Sequence, residues 1–227
     1  MMDVAPFLYR KEVGEGIVIT NTQPEHTVAL EELQKIVFPS LAPESLMRKE
    51  HYLHHIQIFP EGQFVALAAG RVIGMTTSIR YHLTLGESHT FDEMLDGGFL
   101  NTHDPKGDWL YGMDIGTHPD FRGKGIATYL YDARQVTVKK LNLKGQFTYG
   151  MLSGYGAMKD KMSAEEYYEQ VASKKIKDPT VSRQMKNGFV PHGLVAGYVN
   201  DPVCAGYCAF LIRENEEYNK HKTGIIL

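Results

Sequence analysis

The 227-residue chain is 43% hydrophobic and 22% charged, the balance of a folded globular protein and not of a disordered or fibrous one. Its 24 Lys and Arg against 27 Asp and Glu leave a formal charge of -3, which excludes a broad cationic surface for nucleic acid. The longest apolar runs, such as "FVALAAG", are too short to span a bilayer, and the opening "MMDVAPFLYRKEVGEG" lacks a signal-peptide core; no membrane partner and a cytoplasmic location are expected.

Length allows one domain or two small ones. No repeat, low-complexity tract or Pro/Gly-rich linker divides the sequence, so one domain over 1–227 is expected. "GIVITNTQ" alternates β-branched residues and breaks at Gln23-Pro24, giving a strand and then a helix over 25–37 that Pro39 stops. A second helix is predicted from Pro43 to about Ile56. Its His51, His54 and His55 have a metal-like spacing but no partner carboxylate or cysteine, so a solvated face and no metal site are expected. "QFVALAAG" and "RVIGMTTSIRYHL" form an antiparallel hairpin about Gly70-Arg71. In the insert 85–106, Thr90 and Glu93 have capping-box spacing, and Gly97-Gly98 end a short helix.

"WLYGMDIGT" is the next strand, and a helix over about 125–141 follows it. "GQFTYGML" is another strand, and Ser163 and Glu166 cap an amphipathic helix whose Tyr167, Tyr168 and Val171 pack on the sheet. Asp178, Pro179 and Gly188 bracket a short helix, and "FVPHGLVAGYV" and "GYCAFLIRE" close the chain as strands. Cys204 and Cys208 read as buried apolar thiols, too far apart on one strand face for easy bridging. "RENEEYNKHK" is a solvated end.

The strand "WLYGMDIGT" leads directly into "PDFRGKGIATYL", 119–130, and the helix that opens within it. Gly123 and Gly125 permit a tight turn that aims consecutive N–H groups at one anion. The helix opening there adds its positive end, and Arg122 and Lys124 supply full charge nearby, chemistry that suits a diphosphate. Neither GxGxxG nor the P-loop pattern is present, so the fragment by itself reads equally as a turn that holds only its own backbone.

The longer run "DIGTHPDFRGKGIATYLYDARQV" resembles the acyl-CoA-binding motif of the GNAT superfamily of N-acyltransferases. There Arg or Gln, two residues, Gly, one residue and Gly or Ala succeed one another. Arg122, Gly125 and Ala127 match in turn, with Gly123 in addition, and His118-Pro119-Asp120-Phe121 matches the approach. "KNGF" matches the Gly-Phe that ends that superfamily's penultimate helix, and the element order is the superfamily's own. More narrowly, "GYGAMKDKMSAEEYYEQV" and the segments after it resemble GNAT modules that precede a nitrilase-type hydrolase. No such hydrolase follows within these residues, so the acyltransferase part alone is expected to act.

The resemblance implies an α/β (α+β) GNAT fold, with a mixed, mostly antiparallel central sheet of about six or seven strands flanked by helices and splayed at the acyl-CoA site. It implies acetyl-CoA as co-substrate. Its pyrophosphate would lie on the amides of Gly123, Lys124, Gly125, Ile126, Ala127 and Thr128 beside Arg122, and its pantetheine arm would pair with Ile115, Gly116 and Thr117. The activity implied is direct transfer of an acetyl group to a primary amine of a small molecule or peptide; the alternative is an acyl-CoA-binding sensor or docking module with little activity. An amine acceptor is the implied partner, and a homodimer is compatible with all of this.

Acyl transfer needs a neutral amine, a polarised thioester carbonyl and a route for one proton. The resemblance places the polarising amide at about Ile115. Asp114 is the first choice for the base, its plain alternative being an acid that faces solvent or pairs with a cation; Asp108 and His118 are weaker choices. Many GNAT enzymes place a proton-donating tyrosine four residues before the Gly-Phe, where this chain has Gln184, which cannot fill that role. Tyr155 and Tyr149 are its nearest substitutes in sequence, Tyr155 being taken as the catalytic candidate.

Overall fold

A computed structural model describes residues 7–84 and 86–221. The expected insert begins at Leu85, which lies outside the described residues, as do 1–6 of the opening stretch and Lys222 of the acidic end. Eight strands form one sheet in the order β1-β2-β3-β4-β5-β6-β8-β7. They are β1 (Arg10–Glu12), β2 (Ile17–Asn21), β3 (Phe64–Ala68), β4 (Arg71–Tyr81), β5 (Trp109–Thr117), β6 (Gly145–Met151), β7 (Val190–Ala196) and β8 (Tyr207–Glu214). All neighbours are antiparallel except β5 and β6. The count exceeds the six or seven expected because β1 is an exposed three-residue edge of Arg, Lys and Glu, with no apolar alternation to announce it.

Helices α1 (Thr27–Val37), α2 (Lys49–Ile58) and the short α3 (Phe91–Leu95) cover one face. Helix α4 (Ile126–Lys140), α5 (Ala164–Ala172) and the short α6 (Val181–Lys186) cover the other. Period-two alternation divides each strand between the faces. Val65 of β3 packs beneath α1, while Phe64 and Ala66 pack beneath α4.

The local signals act as expected. Thr90 Oγ1 accepts from Glu93 N at 3.2 Å while Glu93 Oε2 accepts from Thr90 N at 2.7 Å, and Ser163 and Glu166 repeat the exchange. Asp178 Oδ1 accepts from the amides of Thr180 and Val181, each at 2.8 Å, but the N-cap of α6 is Thr180, so Asp178 and Pro179 precede the helix and do not open it as expected. The two-residue β3–β4 turn falls at Ala69 and Gly70, both with positive φ, one residue earlier than the expected Gly70-Arg71 because Arg71 already pairs in β4.

His51 and His55 do not lie on a solvated face: they are 2% and 1% exposed. His55 Nε2 contacts Gly98 O at 2.7 Å, and His51 Nδ1 accepts from Arg48 N at 3.1 Å. Spacing alone could not distinguish the two faces of α2, because its apolar and polar residues are poorly segregated. Cys204 and Cys208 are both buried, Cys204 in the loop before β8 and not on a strand.

Candidate active site

The parallel pair β5 and β6 is registered only at Leu110↔Gln146 and Tyr111↔Phe147. Beyond those two positions β5 runs on to Thr117 and β6 to Met151, with Thr148 Oγ1 donating to Gly112 O at 2.9 Å as a last tie. The strands then part. A cavity of about 540 Å³ opens between them, lined on one side by Met113 to Thr117 and on the other by Thr148 to Met151.

A bulge re-aims β5 at this point. Thr77 and Ser78 of β4 face Asp114 and Gly112, so Met113 is an extra residue. Gly112 turns toward α4, where a Cβ would meet Arg134, whereas Met113 packs with the α1 cluster. The extra residue resets the alternation by one: Asp114 is influenced by Gln34 of α1, Ile115 packs on the α4 side, and Gly116 faces Val37 of α1.

Asp114 is therefore held inside. Its Oδ1 accepts from Thr77 N at 2.6 Å, and its Oδ2 is buried with no hydrogen-bond partner among the described residues. Burial pushes the carboxyl above the usual carboxylate value, opposed by Arg134, the Thr77 contacts and Gln34. Arg134, 1% exposed, donates from Nη2 to Thr77 O at 3.0 Å and also to Asp114 O. The alternative of an Asp114 facing solvent does not occur.

The other candidates for the base lie elsewhere. Asp108, at the opposite end of β5, pairs with Lys144 Nζ at 2.5 Å and His82 Nδ1 at 3.2 Å. His118 Nε2 contacts Arg71 Nη2 at 3.0 Å, and its Nδ1 accepts from Asp120 N at 3.3 Å. Neither lines the cavity.

At the far end of β5 the turn takes the conformation that glycine permits. Gly123 has φ +84° and Gly125 φ +77°, and Gly125 is the N-cap of α4 with no side chain capping that helix. The N–H groups of the first turn have no intrahelical partners. Ile115, Gly116, Thr117, Arg122 and Ala127 line the cavity; Gly123, Lys124, Gly125 and Thr128 form the exposed rim beyond it. Ile126 is buried against Gly74. Lys124 turns outward, its Nζ 2.6 Å from Glu15 Oε2.

Tyr155 is not among the cavity-lining residues. It is buried between the rings of Tyr167 and Tyr207, centroids 5.5 and 5.4 Å away. Tyr149 does line the cavity, with burial pushing its hydroxyl up to about 12. Gln184 lies against Gly150, its Oε1 buried and unpartnered. Beside it stands Tyr131 of α4, a cavity-lining residue that sequence reasoning missed. Burial raises the Tyr131 hydroxyl, while the Arg134 charge and the Gln184 amide pull it back down. The signal was present: Tyr131 lies five residues into the helix that opens at the glycine turn, three before Arg134 and on the same face.

Residues 27–145 match the Acetyltransferase (GNAT) family. The chain belongs to that family. It is 32% identical over 209 residues to "Uncharacterized N-acetyltransferase YkwB" of Bacillus subtilis, covering 91% of this chain and 92% of that one. It is 35% identical over 174 residues to "Probable hydrolase YhcX" of the same organism, 76% of this chain but 33% of that longer protein. Among solved structures, the GphF GNAT-like decarboxylase in complex with isobutyryl-CoA superposes with a TM-score of 0.71 at 19% identity, covering 86% of this chain and 98% of that one. This GNAT chain is thus an acyltransferase built on the expected fold. No helix among the described residues is long and apolar enough to cross a membrane.

Proposed function

We propose that this protein transfers an acetyl group from acetyl-CoA to a primary amine. The observation that carries the proposal is the parting of β5 and β6 directly above the uncapped N-terminus of α4. An acyl-CoA fits what these residues offer: free helix-end amides and Arg122 for the diphosphate, and an open strand edge at Ile115 to Thr117 for the pantetheine amides. The bound thioester supplies the activated acyl group. The Ile115 amide polarises its carbonyl oxygen, and the walls of the cavity exclude water from it.

Asp114 takes up a proton at its unpartnered Oδ2, a role that suits a carboxyl whose affinity for protons is raised. Tyr131 returns a proton to the leaving sulfur. Of the two cavity-lining tyrosines without a tyrosine partner for their hydroxyls, it alone has a cation beside it. This assignment replaces Tyr155, which lies away from the cavity.

The test is binding followed by turnover. Acetyl-CoA should raise the melting temperature where ADP does not, and a panel of primary amines should contain one that drives release of free thiol. Tight acetyl-CoA binding with no thiol release from any amine would instead favour a binding module. The GphF likeness supports a second chemistry on the same cavity, loss of CO₂ from a carboxylated acyl-CoA, and CO₂ release without an amine would select it.

A further inference from the structure

Amines of ordinary basicity arrive as ammonium ions at neutral pH. When such a nitrogen bonds to the thioester carbon and the carbon–sulfur bond breaks, the nitrogen loses two protons. One goes to the sulfur, and the other must leave the protein. Asp114 and Tyr131 account for the first proton only.

We propose that Tyr198, Tyr111 and His89 form the exit for the second. The inference rests on the amine-transfer reading above. Tyr198 lines the cavity on the side of α1 and α3. Its hydroxyl is 2.5 Å from the hydroxyl of Tyr111, which is itself 3.2 Å from Nε2 of His89. Tyr111 is 0% exposed, so no water replaces it as a link. His89 stands half-buried in the segment before α3, where the line reaches the surface.

The proton balance closes along this line. Tyr198 accepts a proton from the nitrogen as it gives its own to Tyr111, and Tyr111 gives its own to Nε2 of His89. The two phenols end as they began, and the imidazole carries the charge. A neutral ring that accepts at Nε2 must keep its hydrogen on Nδ1, and Nδ1 is buried with no hydrogen-bond partner among the described residues. The ring is thus poorly anchored on that side, and a swing outward delivers the proton to water beside Glu87 and Glu93. Tyr81, Tyr111, Tyr149 and Tyr198 surround the ring, and the carboxylates of Glu87 and Glu93 act on it. Burial holds His89 below its ordinary value against those carboxylates, so it is neutral and able to accept at pH 7.

The experiment compares the wild-type chain with His89→Ala and Tyr198→Phe, using acetyl-CoA and an amine accepted by the wild type. His89→Ala should lower kcat/KM for the amine at least about tenfold, leave KM for acetyl-CoA unchanged and recover when imidazole is added. Tyr198→Phe keeps the ring stacked on Tyr149 and should show the same loss without imidazole rescue. Wild-type rates in both variants overturn the relay, as does a loss in His89→Ala that imidazole does not repair. Wild-type protein that acetylates no amine overturns the underlying reading, whereas turnover with indifferent variants overturns the relay alone.

Discussion

Arg134 and Thr77 meet at 3.0 Å, Nη2 of the buried guanidinium donating to the main-chain oxygen of this β4 residue, while the same nitrogen reaches Asp114 O on β5. One side chain of α4 thereby ties β4 to β5 across the bulge at Met113. Removing it would strip Thr77 O of this donor, at a cost of about 1–3 kcal/mol, while Asp114 O keeps the Thr76 hydroxyl at 2.7 Å. Relief of the buried charge offsets part of this. Arg134→Met should therefore destabilise the fold by about 2 kcal/mol, read as a lower urea midpoint. An unchanged midpoint would mean that the bulge holds itself.

Asp114 should show opposite effects on activity and stability. Its folded-state affinity for a proton is raised, so its contribution to stability is present below the unfolded value of about 3.9 and is lost as pH rises through the folded one. Asp114→Asn keeps an acceptor for Thr77 N and removes the charge. The variant should melt higher than wild type at pH 7 and lose roughly 10²–10⁴ in kcat. A variant that melts lower and turns over normally would remove Asp114 from the mechanism.

His55 gives the protein a sensitivity to acid. Burial lowers its value to about 4, so between the unfolded value of about 6.5 and that value the unfolded chain binds the extra proton. Stability is fully present above pH 6.5 and lost as pH falls toward 4, by roughly 3 kcal/mol for this one side chain. Denaturant titrations across that range should show the decline. His55→Gln should flatten it, and a slope unchanged by the substitution would assign the loss to other groups.

Gly125 has space for a side chain but not the backbone for one. An added Cβ would meet Tyr129 Cε2 only at 3.7 Å, yet φ is +77°. Gly125→Ala should cost about 1 kcal/mol of stability and weaken acetyl-CoA binding more than tenfold if the turn amides must keep this arrangement. Calorimetric titration separates the two effects. Equal acetyl-CoA affinity in the variant would leave the diphosphate elsewhere.

Much of this architecture is legible in the residues. The capping pairs Thr90–Glu93 and Ser163–Glu166 mark helix starts because each satisfies orphan amides locally, and the glycines of the 119–130 segment mark the turn because only they accept its φ. Features set by tertiary contact were not legible. β1 has no apolar pattern, since it is an exposed edge. The inward face of α2 is fixed by Gly98 and Phe99 packing on His51 and His55, which no local spacing encodes. Asp114 points inward because of the bulge, across which Arg134, twenty residues away, ties the two strands. Tyr155 lies close in sequence to the end of β6 but turns into the cluster under α5, so proximity along the chain misled where Tyr131, on the neighbouring helix, did not register.

The two-position seam between β5 and β6 also bears on how the chain is made. Strands β1 to β5 are neighbours in both sequence and space, and only β6 to β8, encoded after α4, lie on the other side of the seam. A nascent chain can close the first five strands, each on the strand before it, while the last three are still being translated. The second group then has little ladder to copy. Helix α4, emerging between the two, packs on β5 and β6 and so spans the seam, and the cleft is what remains where they do not meet.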